Sequence, residues 1–157
     1  MILDVGCGNP SLNLKPIEGE DVIHIDVDKK SFHLEVQCDA HTLPFKENIF
    51  ATVYANHILE HLDNPIKALQ ELRRVSTKLV IIKVPNASYF KWKNSSKHHH
   101  IFSWNQYSLR NFLERYFEKV TINSTQREPS NSRIHKTVAI FLTLLHGENE
   151  LTAQCYK

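Results

Sequence analysis

Apolar and polar residues alternate along this chain with two different periods. Short apolar runs at Ile2–Val5, Val22–Val27, Ala51–Ala55 and Leu79–Val84 have the length of strands. The last is interrupted only by Lys83 and stopped by Pro85, which suits a parallel strand covered on both faces. Between the third and fourth runs the period becomes helical. Asn64 and Pro65 supply an N-cap and a first-turn proline. Ile66, Leu69, Leu72 and Val75 make the buried stripe, leaving Lys67, Gln70, Glu71 and Arg74 to face water. A second helix is predicted from Leu109, Phe112, Leu113 and Tyr116, with Ser103 and Gln106 as its capping box. Strands follow at about Lys119–Ser124 and at Thr137–Leu145, joined by a polar loop over 125–136. Pro10 and Pro16 leave space only for a short helix between the first two strands. The alternation predicts an α/β fold with a mainly parallel sheet.

The 157 residues suit a single domain spanning 1–157, with no repeats and no linker; 146–157 reads as a tail. A formal charge of +2 is too small to argue for a nucleic-acid partner by itself, although it does not exclude one. The cysteines (Cys7, Cys38 and Cys155) are odd in number and not closely spaced, which favours a reducing compartment over a disulfide scaffold. No signal-peptide pattern and no apolar run long enough to span a bilayer is visible, so a cytoplasmic location is expected.

Candidate chemistry gathers at the strand ends. Gly6-Cys7-Gly8 directly follows the first strand, where glycine lets backbone approach a ligand closely. Asp26 ends the second strand, where an acid can accept both hydroxyls of a ribose. Asp39, after Val36-Gln37-Cys38, can accept from an adenine amino group. Taken singly, these are a plain turn and two solvated acids. In this order on this fold they favour a nucleoside ligand.

These residues extend into a resemblance. Ile2-Leu3-Asp4-Val5-Gly6-Cys7-Gly8, Ile25-Asp26-Val27-Asp28, Asp39-Ala40-His41-Thr42-Leu43-Pro44-Phe45, Ile58-Leu59-Glu60-His61-Leu62 and Val84-Pro85-Asn86 resemble class I S-adenosylmethionine-dependent methyltransferases, over roughly residues 1–117. The nearest subgroup is the type 11-like one with a short first helix. The resemblance implies a Rossmann-like, doubly wound, mostly parallel sheet with an antiparallel C-terminal strand. It implies that Asp4 and the loop of Gly6, Cys7 and Gly8 hold the methionine part of S-adenosylmethionine. Asp26 would bind the ribose, with Asp28 a secondary candidate. Asp39 and the Ala40 backbone would contact adenine, and Asn56 and His57 would line the methyl-transfer face. Two positions depart from the pattern: the third loop glycine is absent, with Pro10 and Ser11 in its region, and Ala51 replaces the acid usual before the fourth strand.

Other motifs compete for the same residues. The glycines and Asp26 fit a dinucleotide fingerprint in outline, but the third glycine is missing and an acid at Asp4 would repel a pyrophosphate. His57-Ile58-Leu59-Glu60-His61 matches an inverted zinc-peptidase pattern, yet no complementary third ligand stands out, and no metal is expected. The segment 86–103 follows the fifth strand and would form a rim or lid. Its Tyr89, Trp92, His99 and His100 read either as a solvated loop or as a substrate-covering surface.

The expected reaction is in-line transfer of a methyl group to an unidentified acceptor, a small molecule being favoured, with His57 as the candidate general base. The alternative is a non-catalytic cofactor-binding or regulatory module. Because the sequence begins at the first strand, an open site, completed by a second copy or another chain, is also expected.

Overall fold

The computed structural model describes residues 1–8, 18–19, 21–31, 33–87, 100–126 and 149–157. Among them the elements run β1 (Ile2–Val5), β2 (Val22–Asp26), β3 (Val36–Gln37), β4 (Phe50–Asn56), α1 (Pro65–Val75), β5 (Ser76–Pro85), α2 (Gln106–Leu113), β6 (Lys119–Gln126) and β7 (Asn149–Tyr156). The strands form one sheet in the order β3-β2-β1-β4-β5-β7-β6. Strands β1 to β5 pair in parallel, and β7 runs antiparallel to both β5 and β6. From β1 the chain builds outward through β2 and β3, then returns to place β4 on β1's other side. Ligands of open α/β sheets bind at the carboxyl ends of strands beside such a reversal. No helix among the described residues is long and apolar enough to cross a membrane.

One face of the sheet centre is wholly apolar: Leu3, Val53, Val80 and Ile82 share it through the strand register and are fully buried. Against it lies α1, opened as expected by Asn64, whose side chain accepts from the Lys67 amide, and by Pro65. Its buried face is Pro65, Ala68, Leu69, Leu72 and Val75. Ile66, expected in that stripe, is 46% exposed: Pro65 takes the inward position at the first turn and turns its neighbour outward. The helix α2 starts from a different cap than expected. Asn105, not Ser103, accepts from the amides of Tyr107 and Ser108, and the Ser108 hydroxyl accepts from the Asn105 amide. Trp104 bridges to Asn86 and its carbonyl accepts from the Ala87 amide at 2.7 Å, so the helix begins only after it.

The C-terminal segment is not a tail. Residues 149–156 form β7, inserted between β5 and β6, with Leu151, Ala153 and Cys155 fully buried. Its inward residues include a small Ala and a Cys beside outward Thr152 and Gln154, so the alternation reads as polar. Of the loop expected over 125–136, Thr125 and Gln126 instead extend β6, pairing with Glu150 and Asn149 of β7. The rest of that loop, the strand expected at Thr137–Leu145 and residues 9–17, where a short helix is expected, lie outside the described residues.

Candidate active site

A cleft of about 480 Å³ opens where β1, β2, β3 and β4 end, and Gly6, Gly8, Asp26, Asp39, Asn56 and His57 are among its lining residues. The topology therefore gathers most of the strand-end residues expected to bind ligand. Ala40 also lines it, whereas Asp4 and Cys7 do not.

The glycine turn works by closeness rather than by free donors. Gly6 and Gly8 both have positive φ, at 71° and 90°, where side chains with a Cβ are strained. A Cβ on Gly6 would overlap Cγ2 of Ile58, across the cleft wall. The amides of Gly6 and Cys7 both donate to the Ile25 carbonyl, at 2.9 and 3.1 Å. The Gly8 amide donates to Asp26 Oδ2 at 3.1 Å. Asp4 is buried, with Oδ2 3.1 Å from Nδ1 of His24, its register partner on β2. The Cys7 thiol is buried; burial first, then the charges of Asp26 and Asp4, push its pKa up to about 12, which keeps it a thiol.

Asp26 also accepts from the Asp28 amide through Oδ1 at 2.9 Å, so its carboxylate is aimed by two backbone donors at the lip of β2. Asp39 Oδ1 accepts from the His41 amide at 2.8 Å and faces His41 Nδ1 at 2.6 Å. The backbone bond to His41 is the chief reason its carboxyl sits below the ordinary range; burial opposes it, and the His41 ring adds to the lowering. With Nδ1 turned to a carboxylate, Nε2 of a neutral His41 is an acceptor. That Nε2, Ser31 Oγ and Asn56 Oδ1 are all buried, all belong to lining residues and all lack a hydrogen-bond partner. Ser31 and His41 escaped the sequence reading. His41 carried a signal in its spacing from Asp39; Ser31 carried none.

The segment bearing Asp39 and His41 is clamped from α1. Glu71 Oε2 accepts from the Leu43 amide at 2.9 Å, and Arg74 donates to the carbonyls of Phe45 and Leu43 at 2.7 and 3.0 Å. Arg74 Nε also bonds Glu71 Oε1 at 2.7 Å. These two side chains, expected to face water, fasten the Leu43-Pro44-Phe45 turn to the helix.

His57 sits at the end of β4 with φ 53°, its amide donating to the Lys83 carbonyl. Its Nδ1 lies 3.2 Å from Glu60 Oε1 and its Nε2 3.0 Å from Glu150 Oε1 on β7. Burial alone would lower its pKa, but the hydrogen bonds to Glu150 and Glu60 prevail and push it up to about 9. Residues 57–61 form a turn, with the His61 amide donating to the Ile58 carbonyl, so His57 and His61 do not share a helix face. Of the expected rim residues, His100 lies beside His61, with ring centroids 4.7 Å apart. Tyr89, Trp92 and His99 lie outside the described residues.

Residues 3–80, about half the chain and most of the cleft, match the family model described as a methyltransferase domain. Solved structures share the fold. An S-adenosylmethionine-dependent methyltransferase from Archaeoglobus fulgidus is 17% identical, with TM-score 0.64, over 99% of this chain and 85% of that one. One from Thermotoga maritima is 16% identical, with TM-score 0.67, over 99% and 82%. A chain from the Haloferax volcanii complex between the Trm112 methyltransferase activator and a candidate methyltransferase is 13% identical, with TM-score 0.70, over 98% and 81%. No curated protein sequence matches the chain. The mixed seven-stranded sheet and the cleft at its reversal define a methyltransferase domain of the Rossmann-like kind. The chain belongs to the class I S-adenosylmethionine-dependent methyltransferases, and S-adenosylmethionine is its cofactor.

Proposed function

We propose that the cleft at the reversal of strand order is the methyl-transfer site, and that it acts on a small-molecule acceptor. The observation carrying this reading is the set of three buried lining atoms without partners, Ser31 Oγ, His41 Nε2 and Asn56 Oδ1, spread along one cleft. Unsatisfied buried polar atoms cost about 1–3 kcal/mol each, and a polar ligand offsets that cost. The spread fits a nucleoside at the β2–β3 side and an amino-acid portion at the β1–β4 side. Asp26 would take the ribose hydroxyls, Asp39 or His41 the amino edge of adenine, and the exposed Val27 its apolar face. Asn56 would accept from the cofactor's ammonium. Asp4 supports the loop from within, through His24, rather than by contact.

The bound cofactor supplies a methyl group already activated on a sulfonium. The protein's task is therefore alignment and exclusion of water. The Gly6–Gly8 turn lets ligand approach the sheet closely, and Ile58 closes the wall behind it. His57 has both ring nitrogens on carboxylates, so in this arrangement it braces β4 against β7 and is not free to take a proton from an acceptor. A cleft of about 480 Å³ lies within the range of small-ligand sites.

Calorimetric titration with S-adenosylmethionine tests this. Asp26→Ala is expected to weaken binding by about 1.5–3 kcal/mol, the range for hydrogen bonds to a charged group. A folded wild-type protein that takes up no S-adenosylmethionine overturns the reading. Formation of S-adenosylhomocysteine with a panel of small acceptors separates an enzyme from a cofactor-binding module.

A further inference from the structure

Glu60, His61 and His100 come together beside the cleft although His100 is far away in sequence. A carboxylate oxygen of Glu60 and one ring nitrogen from each histidine lie within 4.8 Å of one another. The backbone enforces this meeting. The Glu60 carbonyl accepts from the amides of both Ile101 and Phe102, at 2.7 and 3.1 Å, tying the segment after His100 to the turn that carries Glu60 and His61. The bridge between Asn86 and Trp104 anchors the same segment to the end of β5.

Glu60 is 1% exposed, and its two carboxylate oxygens are in different situations. Oε1 faces His57 Nδ1, whereas Oε2 is buried with no hydrogen-bond partner. A buried carboxylate oxygen without a donor calls for a cation or a water. Two imidazoles are already next to it. We propose that Glu60, His61 and His100 bind one divalent transition-metal ion, with Glu60 ligating through Oε2. Two nitrogens and a carboxylate are a donor set used by zinc, manganese, iron(II) and cobalt(II), and three protein ligands leave coordination positions open. Atoms bound to one ion at about 2.1 Å sit roughly 3–3.5 Å apart, so the set closes by turning the two rings. His61 is exposed and has that freedom. His57, itself held by Glu150, fixes the Glu60 carboxylate from behind, as outer partners of metal ligands do. This set differs from the peptidase-like pattern in the sequence, because its first histidine, His57, orients the carboxylate and does not ligate. His61 lines the cleft, so the open positions border the proposed methyl-transfer site.

The test is titration of chelator-stripped protein with zinc and with manganese, read by calorimetry and by competition with a chromophoric chelator. One ion per chain is expected. His61→Ala and His100→Ala should each weaken binding at least about tenfold, and Glu60→Gln should do the same while keeping the side chain's shape. Circular dichroism checks that each variant is folded. The neighbouring His98 and His99 provide the control, since adjacent histidines collect metal without a built site. The double variant His98→Ala/His99→Ala should retain wild-type affinity. Affinity that follows His98 and His99, or that is unchanged in folded His61→Ala, overturns the proposal. The titration reads metal alone, so its outcome is independent of whether methyl transfer is observed.

Discussion

Gly6 and Ile58 meet with no space for a methyl group between them, because a Cβ on Gly6 would overlap Ile58 Cγ2. Gly6→Ala therefore brings two separate penalties: the overlap, and a left-handed backbone that costs about 1–2 kcal/mol for a residue with a Cβ. Chemical denaturation should show at least that loss, and calorimetry should show S-adenosylmethionine binding weakened. Adding Ile58→Ala should recover the overlap part and leave the backbone part. A double variant no better than the single one would show that the clash does not matter.

The clamp between α1 and the Leu43-Pro44-Phe45 turn predicts a pH dependence. The hydrogen bond from Arg74 holds the Glu71 carboxyl below its usual 4.5; burial opposes this, and the Leu43 amide adds to it. A depressed folded pKa means the clamp's stability is fully present above 4.5 and is lost as pH falls through the lower folded value. Glu71→Gln should destabilise by about 1–3 kcal/mol near neutral pH. The gap from wild type should narrow in acid, which urea melts across a pH series would read. A gap that stays constant to low pH would assign the effect to packing.

The start of α2 gives a clean comparison of two caps. Asn105→Ala should cost about 1 kcal/mol, with Tyr107 and Ser108 amides left unpaired. Ser103→Ala should stay within about 0.5 kcal/mol, as an ordinary surface change does. Thermal melts of the two variants decide it, and the opposite ranking would move the helix start back to the cap read from the sequence.

Leu151 is the buried anchor of β7. Leu151→Ala is expected to cost about 2–5 kcal/mol, the range for truncation in a packed core. A loss below about 0.5 kcal/mol, measured by denaturant unfolding, would mean the segment is a loosely attached tail after all.

The parallel strands and α1 were legible because their signals are local: continuous apolar runs, a proline stop, and Asn64 before Pro65. The strand-end acids were legible because the fold rule places ligands at carboxyl ends, and Asp26 and Asp39 do reach the cleft. What was not legible depends on chain segments meeting. The partners of His57 include Glu150, 93 residues away, in a strand whose small and polar residues hid it. Ser31 became a cleft residue only once its burial without a partner was visible. Asp4 kept its place beside the glycines, but its carboxylate was claimed by His24 from the neighbouring strand.

The wedge of β7 between β5 and β6 also orders events during synthesis. Among the described residues β6 pairs with β7 alone, and β5 meets β7 along most of its length. Until residues 149–156 leave the ribosome, β5 and β6 lack the β7 strand that joins them among the described residues, while the half carrying the cleft can already assemble around β1 and β4. Unpaired edges are where chains stick to one another. Nascent chains stalled before Asn149 should therefore be the ones that chaperones hold.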